Sequence, residues 1–166
     1  LKLVDTPGIY SLTSYTIEEK VTRRCVLDDD IEVIVNVVDA SCLERNLYLT
    51  LQLLELGKPV ILALNMMDIV KERGMEIDLH RLPEMLGDKK DILDYGEEVE
   101  EKLSELEERM QSCYPNHSSI RWHAIKLLED DEEVKKDHPL EVDALAEHSY
   151  EKVIARQKYE YIENIM

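Results

Sequence analysis

The chain has 166 residues, enough for one compact domain or two small ones, and is 44% hydrophobic, which supplies a core and excludes global disorder. Its formal net charge of -17 repels phosphate backbones and anionic lipid, which excludes nucleic acid as a partner. Three cysteines, Cys25, Cys42 and Cys113, form no C-x-x-C pair; they fit a reducing cytosol and are expected to be small buried hydrophobes. In chain order, Leu1–Val4 reads as the end of a strand. Thr16-Ile-Glu-Glu19 is a capping box, and Ile17, Val21 and Cys25 follow at a spacing of four, which predicts a helix to about Leu27 with that stripe buried. Ile31–Val38 is β-branched and mostly apolar, as expected of a strand covered on both faces. Ser41-Cys-Leu-Glu44 reads as a second capping box, before a helix whose stripe is Leu43, Leu47, Leu51 and Leu54. Gly57 ends that helix in a left-handed position, Pro59 prevents its resumption, and Val60–Leu64 is the next strand. Strand, helix and strand in this rhythm predict a parallel sheet with right-handed crossovers.

After about Gly87 the pattern becomes helical, with a domain boundary expected near residues 88–96. Val99, Leu103, Leu106 and Met110 mark an amphipathic helix that Tyr114-Pro115-Asn116 breaks. Trp122, Ile125 and Leu128 predict a second helix, Pro139 a further break, and Leu145, Val153, Ile154, Tyr161 and Ile162 a long terminal helix. The acidic clusters Glu97–Glu108 and Glu129–Glu133 are expected as solvated faces. His80, His117, His123, His138 and His148 show no ligand spacing and are expected as surface or packing residues. No apolar stretch approaches the roughly 18 residues a membrane span needs. The chain opens without a methionine or a leader, so a piece of something longer is expected.

Two strand-end loops carry the chemistry. Asp5 follows Leu1–Val4 and could hold a magnesium ion, usually through water. Gly8, three residues on, lets its backbone N–H approach a terminal phosphate. Asn65 and Asp68 follow the second buried strand. A carboxylate there accepts two hydrogen bonds from the N1–H and exocyclic amine of guanine, while the asparagine side chain typically ties this loop to the phosphate loop. Either pair alone also fits an ordinary turn; their order along the chain favours a guanine-nucleotide site. No G-x-x-x-x-G-K-[ST] loop occurs among these residues.

Asp5-Thr-Pro-Gly-Ile-Tyr-Ser-Leu-Thr-Ser14, Val38-Asp-Ala-Ser-Cys-Leu-Glu-Arg-Asn-Leu-Tyr-Leu-Thr50 and Ala63-Leu-Asn-Met-Met-Asp68 together resemble the G domain of the bacterial ferrous iron transport protein B (FeoB) family, over essentially all of residues 1–87. Arg121–Glu129 resembles that family's helical domain, and Tyr159–Glu163 its approach to the membrane region. The resemblance implies Asp5 on the magnesium, Gly8 on the γ-phosphate and Asn65 with Asp68 on guanine. It places Met66 where many GTPases have a lysine packed along the base, and Ile9 where Ras-like enzymes carry a water-orienting glutamine, so hydrolysis is expected to be slow.

The family's phosphate loop, first switch and first strand would precede Leu1, and its sixth strand should follow Leu86-Gly87, where Asp88-Lys-Lys-Asp91 stands instead. The expected fold is therefore α/β: a partial P-loop-GTPase-like parallel sheet lacking its first strand (1–87), followed by an all-α helical domain (97–166). The implied parent is a GTP-regulated ferrous iron transporter that uses GTP/GDP and Mg and sits at the cytoplasmic face of the bacterial inner membrane. Its partners would be guanine nucleotide and the membrane transport domain of the same chain. The residues in hand, soluble and without the phosphate loop, are expected to be inactive alone. Two alternatives stay open: a non-catalytic helical binding module and a non-functional gene fragment.

Overall fold

Thr16 starts the first helix as its sequence dictates. Its hydroxyl accepts from the Glu19 N–H (3.1 Å), and the Glu19 carboxylate takes the Thr16 N–H (3.1 Å), so α1 spans Ile17–Leu27. The computed structural model in which this is seen describes residues 2–86, 93–140 and 150–166. The expected stripe does not face inward: Ile17 and Val21 are 78% and 48% exposed, and Thr22, Arg23 and Val26 are buried instead. Two polar anchors set that rotation. The Thr22 hydroxyl donates to the Pro7 carbonyl (3.0 Å), and Arg23 grips Asp131 from the far half of the chain.

Strands β1 (Ile34–Asp39) and β2 (Val60–Asn65) pair in parallel, from Ile34 opposite Val60 to Asp39 opposite Asn65. β1 starts three residues later than expected and is covered on one face only. Ile34, Asn36 and Val38 are buried, whereas Val35 and Val37 are 54% and 64% exposed. The covering element is α2 (Leu43–Leu54), whose Leu43, Leu47 and Leu51 are buried and whose Thr50 hydroxyl receives the Asn36 side-chain amide (3.0 Å). Residues 2–4, expected to end a strand, are exposed and form none; extended backbone without a neighbour's ladder of hydrogen bonds has nothing to hold it.

The expected capping box of Ser41 with Glu44 does not form. Asp39 caps a single 3-10 turn, Ala40–Cys42, by accepting from the Ser41 N–H (2.9 Å) and hydroxyl (2.7 Å), and α2 begins behind it without a side-chain cap. Gly57, at φ +74°, ends α2 in the left-handed conformation anticipated for it. Two short helices follow β2: α3 (Met67–Glu72) and α4 (Arg81–Leu86).

The second half is helical throughout its described residues. α5 (Glu97–Cys113) buries the four positions its spacing marks, Val99, Leu103, Leu106 and Met110. α6 (Ile120–Leu128) packs on it through Trp122 and Ile125, both fully buried. α7 (Glu132–Asp137) and the terminal α8 (Glu151–Ile165) complete it; Leu145, expected on the last helix, lies outside the described residues. One apolar cluster runs without a break from Leu12, Val26, Ile34 and Leu53 to Leu103, Trp122 and Ile154. A second, beneath β1, joins Val38, Leu47 and Leu82 to Ile162 of α8. The cysteines depart from expectation: Cys42 and Cys113 are exposed at a turn and a helix end, and Cys25 is half-buried.

Candidate functional site

Because Asp39 stands opposite Asn65, both strands finish at one level and the loops that follow them lie side by side. Crevices at the carboxyl ends of parallel strands are where open α/β sheets bind ligands. On the β1 side the Ser41 hydroxyl holds the Asp39 carboxyl below the usual carboxylate range, and Arg73 from the end of α3 reaches the Ser41 carbonyl (3.4 Å). On the β2 side the Asn65 side-chain oxygen accepts the Met66 N–H (2.9 Å). Met66 itself sits at φ +59°, in the left-handed region that a long side chain rarely occupies. That turn starts α3, placing Asp68 in its exposed first turn. The three loop residues Asn65, Met66 and Asp68 thus lie on one short turn and are all exposed.

Asp5 and Gly8 are also exposed, on an extended segment without regular structure. A Cβ added at Gly8 would meet nothing within 4 Å, so the approach to its N–H is open. The segment beyond is tightly held. The Gln52 side-chain oxygen accepts from the Leu12 N–H (2.7 Å) and the Ser11 hydroxyl (3.1 Å), and Arg45 stacks over Tyr10 at 3.8 Å. Ile9 turns into the apolar core. A cavity of about 370 Å³, lined by Glu55, Tyr95, Ser119 and Arg121 among others, includes none of Asp5, Gly8, Asn65, Met66 or Asp68.

Comparison with known proteins bears on this arrangement. Residues 1–109 match the family described as ferrous iron transport protein B. The chain belongs to this family. Residues 95–166 match its cytosolic helical domain. The Fe(2+) transporter FeoB of Legionella pneumophila (strain Lens) is 47% identical over 91 residues, which are 52% of this chain and 12% of that protein. The Salmonella typhimurium transporter is 52% identical over 89 residues, 51% of this chain and again 12% of the relative. The alignments thus span about an eighth of these relatives' length. Among solved structures, the cytosolic domain of T. maritima FeoB in its GMPPNP form has a TM-score of 0.86 at 30% identity, covering 98% of this chain and 78% of that one. A mutant of S. thermophilus NFeoB bound to mGDP has a TM-score of 0.87 at 31% identity, covering 97% and 78%. NFeoB from S. thermophilus bound to GDP, AlF4- and K+ has a TM-score of 0.84 at 31% identity, covering 97% and 79%. The partial G domain followed by an all-helical portion is therefore the cytosolic architecture of the FeoB family. No described helix is long and apolar enough to cross a membrane.

Three groups of residues were not legible beforehand. Lys158 of α8, fully buried, lies 3.1 Å from Glu55 at the end of α2 and 3.8 Å from Glu129 at the end of α6. Burial alone would lower its pKa, but Glu55 and then Glu129 outweigh it and hold the ammonium above its ordinary value. Glu55 also accepts from the Tyr95 hydroxyl, and Glu129 from Lys126. Arg23 and Asp131 form a two-pronged pair (2.7 and 3.0 Å), so Glu129 and Asp131 are internal partners rather than part of a solvated face. The third group is His117, His123 and His138, expected to be scattered but gathered at one point.

Proposed function

We propose that the chain is the nucleotide-responsive cytosolic part of a GTP-regulated ferrous iron transporter, with guanine nucleotide at the carboxyl ends of β1 and β2. The observation that carries this reading is the Asn65–Asp68 turn. The asparagine is spent on the loop's own backbone, the strained Met66 fixes the bend, and the Asp68 carboxylate is left outward and free to accept from guanine. Guanine-nucleotide ligands named in the solved relatives at 30–31% identity support it. Asp5 would hold magnesium through water: it is an exposed carboxylate three residues before the open N–H of Gly8, a donor set that fits a hard cation beside a phosphate. Ile9, packed inward, has no group with which to orient an attacking water, so hydrolysis in the whole protein would be slow beside enzymes that carry a glutamine there. The iron path and the membrane domain it opens would belong to the whole transporter.

A polypeptide of these 166 residues has no G-x-x-x-x-G-K-[ST] loop to supply a lysine and a nest of N–H groups to the phosphates. Losing three or more charge-assisted bonds, each about 1.5–3 kcal/mol, weakens binding at least about a thousandfold. The test therefore works at millimolar ligand. In an amide NMR titration with Mg-GDP and Mg-ADP, the expected shifts cluster at Asn65–Asp68 and Asp5–Gly8 with GDP, are weaker with ADP, and lose that difference in Asp68→Ala. Equal response to both nucleotides in the unmodified chain would reduce Asn65-Met-Met-Asp68 to a turn.

A further inference from the structure

We propose that His117, His123 and His138 form a binding site for one divalent transition-metal ion, with three imidazole ligands and an open fourth position. The three residues come from separate elements: the turn between α5 and α6, the body of α6, and the cap that ends α7. One ligand nitrogen from each lies within 4.8 Å of the other two, and the ring centroids are 4.2, 4.5 and 4.9 Å apart. A metal–nitrogen bond is about 2.0–2.1 Å, so tetrahedral ligands stand about 3.3 Å apart. Binding therefore requires the rings to turn toward a common centre, and the half-buried His117 gives an ion its route in from the surface.

Two features distinguish this cluster from three rings packed for bulk. His123 is 3% exposed, and its Nδ1 lies 2.9 Å from the Ser119 carbonyl oxygen. A carbonyl only accepts, so Nδ1 carries the proton and Nε2 keeps the lone pair. That is the backbone-oriented imidazole found behind most metal-bound histidines. His138 supplies the second feature: its Nδ1 is fully enclosed and has no hydrogen-bond partner among the described residues. An unsatisfied buried polar atom is costly, and a cation at the centre of the cluster would satisfy it.

The ligand set names the class of ion. Three imidazoles and no carboxylate suit zinc, copper, nickel or ferrous iron and are wrong for magnesium or calcium. An overall charge of -17 favours cation entry. The position also has a structural consequence. His138 ends α7, and Asp131, which caps the start of α7, holds Arg23 of α1, the helix that follows Asp5–Gly8. Arg23 in turn lies 4.8 Å over the Trp122 ring, against which His123 packs edge-on. An ion bound here pins α7 to α6 beside the contact that ties the two halves together.

The test uses the 166-residue chain with zinc as probe, in competition with a chromophoric chelator, and with cobalt as a spectroscopic substitute. One zinc per chain is expected, with visible cobalt d–d absorption of a low-coordinate nitrogen site. His117→Gln and His138→Gln, both at half-buried positions and checked for native helicity by circular dichroism, should each weaken zinc by at least about tenfold to a hundredfold. The double variant should lose the cobalt spectrum, and His123→Gln should behave likewise. Replacing Cys25, Cys42 and Cys113 together by Ser should change nothing. The proposal is overturned if the unmodified chain retains no zinc equivalent, if the folded double variant binds zinc as tightly as the unmodified chain, or if the cysteine variant is the one that loses it.

Discussion

The sheet half and the helical half share one core but are finished to different degrees. In the helical half, Leu103, Leu106, Met110, Trp122 and Ile125 are all at 0% exposure, each helix covered by its neighbours. In the sheet half the strands are buried on the α2 side only, and Val35, Val37 and Ile61 stand 54%, 64% and 55% exposed on the other. Apolar β-branched residues turned to solvent from a two-stranded sheet mark a face built to be covered. The sheet half therefore depends on contacts with the helical half, and those contacts include two buried ion pairs. Secondary structure formed locally survives where a partner is lacking; a sheet does not, because each strand's backbone groups are satisfied by another strand.

The largest expected effect tests that dependence. Lys158→Ala leaves Glu55 buried without its cation and Glu129 with Lys126 alone, at a cost of about 3–5 kcal/mol, read as a loss of urea stability. Lys158→Met, which keeps the bulk, should recover little, because the uncompensated Glu55 charge remains. A Lys158→Ala chain of near-normal stability would mean that the Lys158–Glu55 pair does not hold the halves together. Truncation in the two regions should then diverge: Leu103→Ala should cost about 2–5 kcal/mol by opening a cavity, whereas Val37→Ala on the uncovered face should stay within about 0.5 kcal/mol. Equal costs would show that something covers Val37 in solution.

A smaller effect follows from Asp131. Burial would raise its pKa, but the Arg23 guanidinium outweighs this and holds the carboxyl below its ordinary value. A depressed folded pKa contributes stability that is present above the unfolded value of about 3.9 and is lost as the pH falls through the folded one. Acid unfolding of the unmodified chain should therefore steepen below about pH 4. Asp131→Asn should be less stable near neutrality and show a shallower acid limb. An unchanged acid profile would remove the Arg23–Asp131 pair from the account.

What was legible in the sequence was local. The Thr16–Glu19 box, the Val99–Met110 stripe and the left-handed Gly57 each depend on residues within a few positions, and each forms as expected. The Asn65–Asp68 turn was legible for the same reason. Helices α3, α4 and α7 were missed because six residues do not complete two turns of apolar periodicity. Ile17, Val21 and Cys25 misled because the spacing of an apolar stripe does not reveal whether anything covers it. Arg23 with Asp131, Lys158 with Glu55, and the three histidines were invisible because chain folding, not spacing, brings them together. The Arg23 and Asp131 side chains meet across 108 positions.

Amide hydrogen exchange on the whole chain tests the central contrast most directly, since it reads each element's opening in one experiment. Glu98–Met110 of α5 and Glu151–Ile162 of α8 should exchange more slowly than Ile34–Asp39 of β1, whose outer face lies open. Equal or stronger protection of β1 would show that the sheet is a stable core in its own right, and would contradict the reading of an open sheet held in place by a closed helical half.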